Sequence, residues 1–248
     1  MFYLLLIVPK DETQNQFTTM KKIVLFTILL CISVSLCFAQ KRQTPINTAK
    51  PQTVQTPTVK EISDAEWKIL TAALQSENWE KSALYASQYL QKIKVDNEKK
   101  RLAQLRYFYL YALAGKILTL SSAKLPVEEN AAWKELDDAA GKFIGKEFIL
   151  PPRRLLNDCK EVLNYICAVK GNERALRVTA TNKTGTAIHS FDYISFDKKI
   201  LSGEFTERET FLGGKLKTVE FNQDMSKPWV MRLIFEKGFV SLVEKNNK

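Results

Sequence analysis

The single histidine of this 248-residue chain, His189, lies beside two residues with which it could perform hydrolytic chemistry. In the stretch TAIHSFDYISF, Ser190 is a potential nucleophile and Asp192 could orient the imidazole. The composition of the stretch predicts a β-strand. Because successive side chains of a strand point to opposite faces, His189 is predicted to point away from Ser190 and Asp192 unless a bulge intervenes. An ordinary strand histidine is therefore the preferred interpretation.

The stretch CKEVLNYIC contains Cys159 and Cys167, eight positions apart. Apolar residues recur at helical spacing through residues 153–169, which favours an amphipathic helix over a strand. Eight residues rise about 12 Å along a helix, whereas a disulfide needs Cα atoms within about 7 Å of each other. Both cysteines are therefore predicted to be core residues with free thiols. A zinc site would need closer cysteines and two further ligands, and the chain has only one histidine, so a zinc site is not predicted.

The acidic residues do not define a site in the sequence. Groups such as Glu128-Glu129 and Glu204/Glu207/Glu209 are typical of helix starts and exposed surfaces. Two carboxylates could flank a sugar bond in a glycoside hydrolase, but the sequence does not show which acids meet in space. No phosphate-binding loop, dinucleotide fingerprint or zinc-protease helix is present in it. The sequence thus predicts no catalytic, cofactor-binding or metal-binding residue, and a non-enzymatic protein is favoured.

The N-terminal part has the pattern of an export signal. A short basic start at Met20 is followed by an apolar run and by small residues up to Ala39. We expect residues 1–39 to be a signal peptide with its true start at Met20 and cleavage after Ala39. This predicts a periplasmic or secreted protein with no membrane span after cleavage. Residues 40–60 are rich in Gln, Thr and Pro, which predicts a disordered linker.

The chain is basic, with a formal net charge of +10 at pH 7. Such a charge favours anionic partners, but a solvated basic surface is the preferred explanation. The basic residues are scattered, and their clusters lack the aromatic interleaving of an RNA-binding sheet. These clusters are Lys99-Lys100-Arg101, Arg153-Arg154 and Lys198-Lys199. We therefore expect a protein or an envelope polymer as partner and no nucleic acid.

Four helices are predicted between residues 61 and 140. Ser63 and Glu66 form the pattern of a capping box at the start of the first helix. Asn78 is a suitable N-cap for the second helix, and Asp96 or Asn97 for a long third helix. The predicted helices run to about residues 76, 95 and 120, with a fourth from about 127 to 140 after Pro126.

Residues 64–97 resemble one tetratricopeptide repeat, a helix–turn–helix unit of about 34 residues. Trp67, Leu70, Leu74 and Ala83 occupy positions where that pattern has a Trp, a Leu, a large apolar residue and a small one. The resemblance implies an antiparallel helical region whose stacked helices form a concave surface for peptides or partner proteins.

The chain becomes rich in β-strands after about residue 141. Strands are predicted at 146–150, 174–181, 186–196, 205–212, 215–221, 229–236 and 239–243, separated by turn residues that include Gly213-Gly214 and Lys237-Gly238. The expected fold is α+β, with a helical region at 61–140 that resembles tetratricopeptide repeats. It is followed at 141–248 by an antiparallel β-barrel or sandwich with one helix near 153–169.

These patterns favour an exported, non-enzymatic protein-binding or scaffolding protein of a bacterial cell envelope. The alternative is a secreted hydrolase that acts on glycans or peptides. A deep pocket lined by two close carboxylates, or by His189 and a nucleophile, would favour the hydrolase. A groove along the helices lined by exposed aromatic residues would favour the binding protein.

Overall fold

The computed structural model describes residues 62–93, 99–156, 165–169, 172–183, 185, 188–200 and 202–243. The predicted signal peptide at 1–39, the predicted linker at 40–60 and Cys159 lie outside these residues. The segment Thr56–Lys248 forms one compact unit, and the fold below is that of its described part.

The first two helices form an antiparallel pair with the predicted caps. Helix α1 spans Asp64–Gln75 and helix α2 spans Trp79–Lys92. At the start of α1 the Ser63 hydroxyl accepts a hydrogen bond from the Glu66 N–H, and the Glu66 carboxylate accepts one from the Ser63 N–H. The Asn78 side chain accepts a hydrogen bond from the N–H of Lys81 in α2. The predicted capping box and N-cap are confirmed.

Helix α3, Lys99–Ser122, lies at the centre of the molecule, and helix α4, Pro126–Phe143, packs against it. Leu105, Leu113 and Ile117 of α3 are fully buried, because α2 and α4 cover one side of the helix and the sheet covers the other. A helix that is apolar on all sides is expected at such a position. Within the described ranges, no helix combines the length and apolarity needed to cross a membrane.

Seven strands form one mixed sheet with the order β1-β6-β2-β3-β4-β5-β7. Most neighbouring strands are antiparallel, but β2–β3 and β5–β7 are parallel, so the prediction of a purely antiparallel sheet is wrong. Strand β6, the second strand of this order, also pairs with β7, the last one. The bounds are β1 Glu147–Ile149, β2 Arg153–Leu156, β3 Ile166–Val169, β4 Asn172–Thr181, β5 Ile188–Ser195, β6 Glu209–Phe221 and β7 Met231–Leu242, with a short helix α5 at Ser202–Phe205.

The predicted helix near 153–169 is wrong at the described residues. Its two ends are strands β2 and β3, which lie side by side, with Leu155 opposite Ile166 and Leu156 opposite Cys167. Residues at the centre of a sheet are covered on both faces, so their strands read as continuous apolar runs. In short strands such runs can imitate the apolar spacing of a helix, which explains the error.

Two dipeptides predicted as turns, Gly213-Gly214 and Lys237-Gly238, lie inside long strands instead. Strand β6 continues through Gly213-Gly214, and β7 continues through Gly238. A Cβ atom at Gly213 would collide with the ring of Phe239, and one at Gly238 would lie 2.6 Å from Cγ2 of Ile194. The pairing of β6 with β7 shifts register beside Gly213. These glycines therefore permit close approach of neighbouring strands at an irregularity of the sheet, rather than a change of chain direction.

The helices and the sheet share one hydrophobic core. Its buried members include Leu113 and Ile117 of α3, Phe148 of β1, Val178 of β4 and Phe235 of β7. The ring of Phe148 lies 5.5 Å from that of Phe235. The predicted boundary near residue 141 thus lies between two parts that bury their apolar faces against each other. This core holds the surfaces of α1, α3 and β2 in the arrangement that forms the candidate site.

Candidate functional site

A β-bulge in β5 changes the direction of the His189 side chain. Ala180 of β4 pairs with Ser190, and the next residue, Thr181, pairs with Ile188. His189 is therefore the extra residue of the bulge, with no opposite residue in β4. A bulge of this kind interrupts the alternation of side chains between the two faces of a sheet. The prediction that His189 and Ser190 point to opposite faces held only for a regular strand, and the bulge removes that condition.

The bulge places the His189 ring against α2 and α3. Its centroid lies 4.9 Å from that of Trp79 and 4.7 Å from that of Tyr111. The side chain is fully buried, and neither ring nitrogen has a hydrogen-bond partner among the described residues. Burial, together with the positive charge of Arg153, lowers the pKa of His189 to about 4. The imidazole is therefore neutral at neutral pH.

Asp192 and Ser190 are also fully buried, and both lie near Tyr107 of α3. Burial raises the pKa of the Asp192 carboxyl to about 7, although the Arg153 guanidinium and the Tyr107 hydroxyl act in the opposite direction. Burial and the neighbouring Asp192 in turn raise the pKa of the Tyr107 phenol to about 12. A carboxyl group with a pKa near 7 changes its charge within the physiological range.

Arg153, the first residue of β2, connects these buried groups to the surface. Its Nη1 atom donates a hydrogen bond of 2.8 Å to the carbonyl oxygen of Thr179, and its Nη2 atom donates one of 3.2 Å to the Tyr107 hydroxyl. Burial lowers the pKa of Arg153, but Tyr107 and Asp192 outweigh it and raise the pKa, so the guanidinium stays charged. We call His189, Ser190, Asp192, Tyr107 and Arg153 the polar cluster.

The polar cluster does not form a catalytic triad. Three of its side chains have no hydrogen-bond partner of ordinary geometry among the described residues. They are His189 at both ring nitrogens, Ser190 at its hydroxyl and Asp192 at both carboxylate oxygens. A triad requires a nucleophile, a base and an orienting carboxylate joined by hydrogen bonds. The three side chains also have no exposed surface through which a substrate could reach them.

A cleft of about 670 Å³ opens above Arg153, between α1, α3 and the chain around β2. Its walls combine aromatic rings with basic and neutral polar side chains. We call it the aromatic cleft. Its described lining residues are Trp67, Thr71, Leu74, Gln75, Lys100, Arg101, Gln104, Tyr107, Phe108, Tyr111, Pro151, Pro152, Arg153 and Phe211.

Contacts between side chains hold the walls of the aromatic cleft in place. The Trp67 and Phe108 rings are tilted at 43° with centroids 5.5 Å apart. The Nζ atom of Lys100 lies 4.0 Å from the centroid of the Phe211 ring, within cation–π range. Arg101 forms an ion pair with Asp64 and donates a 2.7 Å hydrogen bond to the carbonyl oxygen of Ile62.

A second cleft of about 510 Å³ continues from the first on the other side of Arg153. The two clefts share the residues Leu74, Gln75, Tyr111, Pro152 and Arg153. The second part is lined by charges of both signs, including those of Glu77, Arg154, Lys183 and Glu209. The result is an elongated groove, which suits an extended ligand better than a compact one.

The opposite face of the sheet has a different surface. The Arg177 guanidinium lies 4.8 Å from the centroid of the Phe191 ring, and that of Arg232 lies 5.6 Å from the same ring and 4.9 Å from that of Trp229. Arg232 also forms an ion pair with Glu220. Basic and aromatic residues thus alternate in space across three strands, although no such alternation is visible along the sequence.

The acidic residues noted in the sequence do not line the aromatic cleft itself, although Glu209 lines its continuation past Arg153. Glu128 lies in another groove, of about 710 Å³, together with Glu77, Glu80 and Glu135. Glu207 forms an ion pair with Arg154. Among the described residues, no group of three or more His, Cys, Asp or Glu side chains could hold a metal ion.

Cys167 is disulfide-bonded, so the predicted free thiol is wrong at this position. The prediction was based on the separation of two cysteines in a continuous helix. Strands β2 and β3 are instead parallel neighbours, so the chain must return beside itself between Leu156 and Cys167. Cys159 belongs to the part of the chain that the structure does not describe.

Comparison of the chain with protein-family models, with curated proteins and with solved structures finds no match. The function must therefore be argued from the aromatic cleft and the polar cluster themselves.

Proposed function

We propose that this protein is a non-enzymatic binding protein of a bacterial cell envelope and that its partner binds in the aromatic cleft. The observation that supports this most directly is the composition of the cleft. Trp67, Phe108 and Phe211 provide apolar contact area, and Lys100 and Arg101 provide charge at its walls. Aromatic and arginine side chains are the residues that contribute most to binding at protein interfaces.

The sequence patterns support the other parts of the proposal. The export signal at residues 1–39 supports a periplasmic or secreted location. The α1–α2 pair resembles a tetratricopeptide unit, a structure that presents surfaces to peptides and partner proteins. The pairing of β6 with both β2 and β7 supports a barrel-like closure of the sheet.

A secreted hydrolase has less support. Its sequence argument required either His189 with a nucleophile or two close carboxylates in a deep pocket. The described residues that line the aromatic cleft include neither His189 nor an acidic side chain. The burial of His189 and Ser190 also separates them from any substrate.

Site-specific photo-crosslinking tests the proposed function. A photo-reactive phenylalanine analogue is introduced at Phe211 or Gln104, inside the cleft, and the cells are irradiated before the envelope is solubilised. We expect both positions to yield the same adduct of higher mass. Leu84 of α2 is the matched control, since it is 52% exposed and does not line the cleft.

Mass spectrometry of the adducts identifies the partner. Equal labelling of many proteins at all three positions, or adducts only at Leu84, would contradict a partner in the aromatic cleft.

A further inference from the structure

The charges around the aromatic cleft have one sign. Lys100, Arg101 and Arg153 line it, and no Asp or Glu is among its described lining residues. Arg101 is neutralised in part by its ion pair with Asp64. Arg153 lies near Asp192, whose carboxyl group burial keeps neutral below about pH 7. Lys100 and Arg153 are therefore the cations that can attract an anionic group there. Because the walls are partly apolar, these charges are screened less than they would be on an open surface.

Arg153 is held in a position that suits the binding of an anion. Its hydrogen bonds to the Thr179 carbonyl and the Tyr107 hydroxyl fix the plane of the guanidinium. A guanidinium has five N–H donors, and these two bonds use two of them. Arginine binds carboxylates with short, charge-assisted hydrogen bonds, and a fixed plane lowers the entropy lost on binding.

The rest of the cleft is suited to apolar side chains. Trp67 and Phe211 are half-buried, so part of each ring is open to a ligand. The neutral polar groups of the cleft are the side chains of Thr71, Gln75 and Gln104 and the hydroxyls of Tyr107 and Tyr111. A glycan exposes hydroxyl groups along its whole length, and each needs a partner when it is buried. A peptide with large apolar side chains fits these walls better.

The chain's own predicted linker is a poor occupant of the cleft. Residues 40–60 contain the basic residues Lys41, Arg42, Lys50 and Lys60 and no acidic residue. Like charges would oppose its binding beside Lys100. The partner therefore has to be acidic and to come from another molecule.

We infer that the aromatic cleft binds an acidic peptide segment of a partner protein, with carboxylates at Lys100 and Arg153 and a large apolar side chain against Trp67. This inference rests on the proposed function and specifies the chemistry of its partner. Glu77 and Glu209 line the continuation past Arg153 beside Arg154 and Lys183, so the acidic residues of the segment are assigned to the aromatic cleft and not to its continuation.

Fluorescence anisotropy with a matched pair of synthetic peptides tests the inference. Each peptide has about eight residues, with Phe and Leu flanked by Glu in one peptide and by Gln in the other. We expect the Glu peptide to bind the intact protein about tenfold more tightly than the Gln peptide. We also expect its affinity to fall as NaCl rises from about 0.05 M to about 0.5 M.

Variants of exposed lysines locate the bound peptide. Lys100→Glu should weaken binding of the Glu peptide by about tenfold, because it reverses a charge at the cleft. Lys68→Glu is the matched control, because Lys68 is exposed on α1 and is not among the described lining residues. Arg153→Lys is a second variant, used only if its circular dichroism spectrum matches that of the original protein.

The outcomes separate this inference from the proposed function. Crosslinks at Phe211 together with equal binding of the Glu and Gln peptides would overturn the acidic-peptide assignment and leave a binding protein. The same assignment fails if fluorescently labelled polygalacturonate binds the protein while neither peptide binds, since the ligand would then be an acidic glycan. An equal loss of binding in Lys68→Glu and Lys100→Glu would also overturn it.

Discussion

At the scale of single residues, burial decides what the polar groups of β5 can do. His189 and Asp192 are both fully buried, but burial moves their pKa values in opposite directions. Burial disfavours the charged form of each group, so the histidine loses its proton more easily and the carboxyl group keeps its proton longer. Both groups tend to be neutral in the folded protein. A catalytic triad instead needs an ionised carboxylate and an imidazole that readily accepts a proton.

The opposed pKa values predict that the stability of the protein changes little between about pH 4 and 6.5. Unfolding lowers the pKa of Asp192 from about 7 to its ordinary value of 3.8, so its contribution to stability is lost as the pH rises through this window. Unfolding raises the pKa of His189 from about 4 to 6.5, so its contribution is lost as the pH falls. The two slopes have opposite signs.

Asp192→Asn removes one of these slopes and makes the other visible. We expect the free energy of unfolding of this variant to rise with pH between about 4 and 6.5, by at most about 1.4 kcal/mol per pH unit. His189→Leu should show a decrease from about pH 4 to 7. Urea denaturation across this range measures both. Asp137→Asn on exposed α4 is the control, and identical pH profiles in all variants would contradict the assignment.

The disulfide of Cys167 predicts a residue-level result as well. In the unreduced protein, Cys167 should take up no iodoacetamide, and reduction should lower the free energy of unfolding by about 2 kcal/mol. We expect peptide mapping to link it to Cys159. Leu156 lies opposite Cys167 in the sheet, and Cys159 follows Leu156 by three positions. Because three residues span at most about 10 Å, Cys159 stays close to Cys167. A labelled Cys167 without reduction would contradict the bond.

At the scale of secondary-structure elements, local signals predicted the helices better than the strands. The capping box of Ser63 and Glu66 acts within one helical turn, so the sequence contains all of its parts. Strand partners are far apart in the chain. The bounds of β6 and β7 depend on how Gly213 meets Phe239, a contact between residues 26 positions apart. Gly213 therefore looked like a turn residue in the sequence.

Two glycines in neighbouring helices give a matched test of helix packing. A Cβ atom at Gly115 of α3 would lie 2.7 Å from Cε2 of Trp79, whereas one at Gly141 of α4 would meet nothing within 4 Å. We expect Gly115→Ala to lower the free energy of unfolding by about 1–2 kcal/mol through overpacking. Gly141→Ala should raise it by about 0.5–1 kcal/mol, because alanine favours the helix.

Thermal and urea denaturation of both glycine variants measures these changes. Because Trp79 packs on His189, the near-ultraviolet circular dichroism spectrum should change in Gly115→Ala and stay the same in Gly141→Ala. If Gly115→Ala were as stabilising as Gly141→Ala, the close approach of α3 and Trp79 would be refuted.

At the scale of the whole molecule, the helices and the sheet depend on one core. Leu113 of α3 and Phe235 of β7 belong to the same buried cluster, and Arg106 of α3 donates a 2.8 Å hydrogen bond to the carbonyl oxygen of Glu147 in β1. Removing the helices would expose the inner face of the sheet to water, and apolar burial is the main driving force of folding.

This shared core predicts one cooperative unfolding transition. Tryptophan fluorescence, which reports on Trp67, Trp79 and Trp133 in the helices and on Trp229 beside β7, should follow the same urea curve as far-ultraviolet circular dichroism. A fragment of residues 141–248 should lack a cooperative transition. A folded fragment, or two separate transitions of the whole chain, would instead support the division into two domains that the sequence suggests.

The sequence by itself determined the caps of α1 and α2 and the change from helices to strands near residue 141, because these depend on residues a few positions apart. Only the tertiary structure decided the rest. The bulge that turns His189 inward, the pairing of β2 with β3 and the meeting of Trp67, Lys100, Arg153 and Phe211 around one cleft all depend on contacts between distant segments. The stretch CKEVLNYIC has the spacing of a helix, but its last residue, Cys167, lies in a strand. The reason is that Cys167 pairs with Leu156 and Arg177 in neighbouring strands, and local spacing does not determine this pairing.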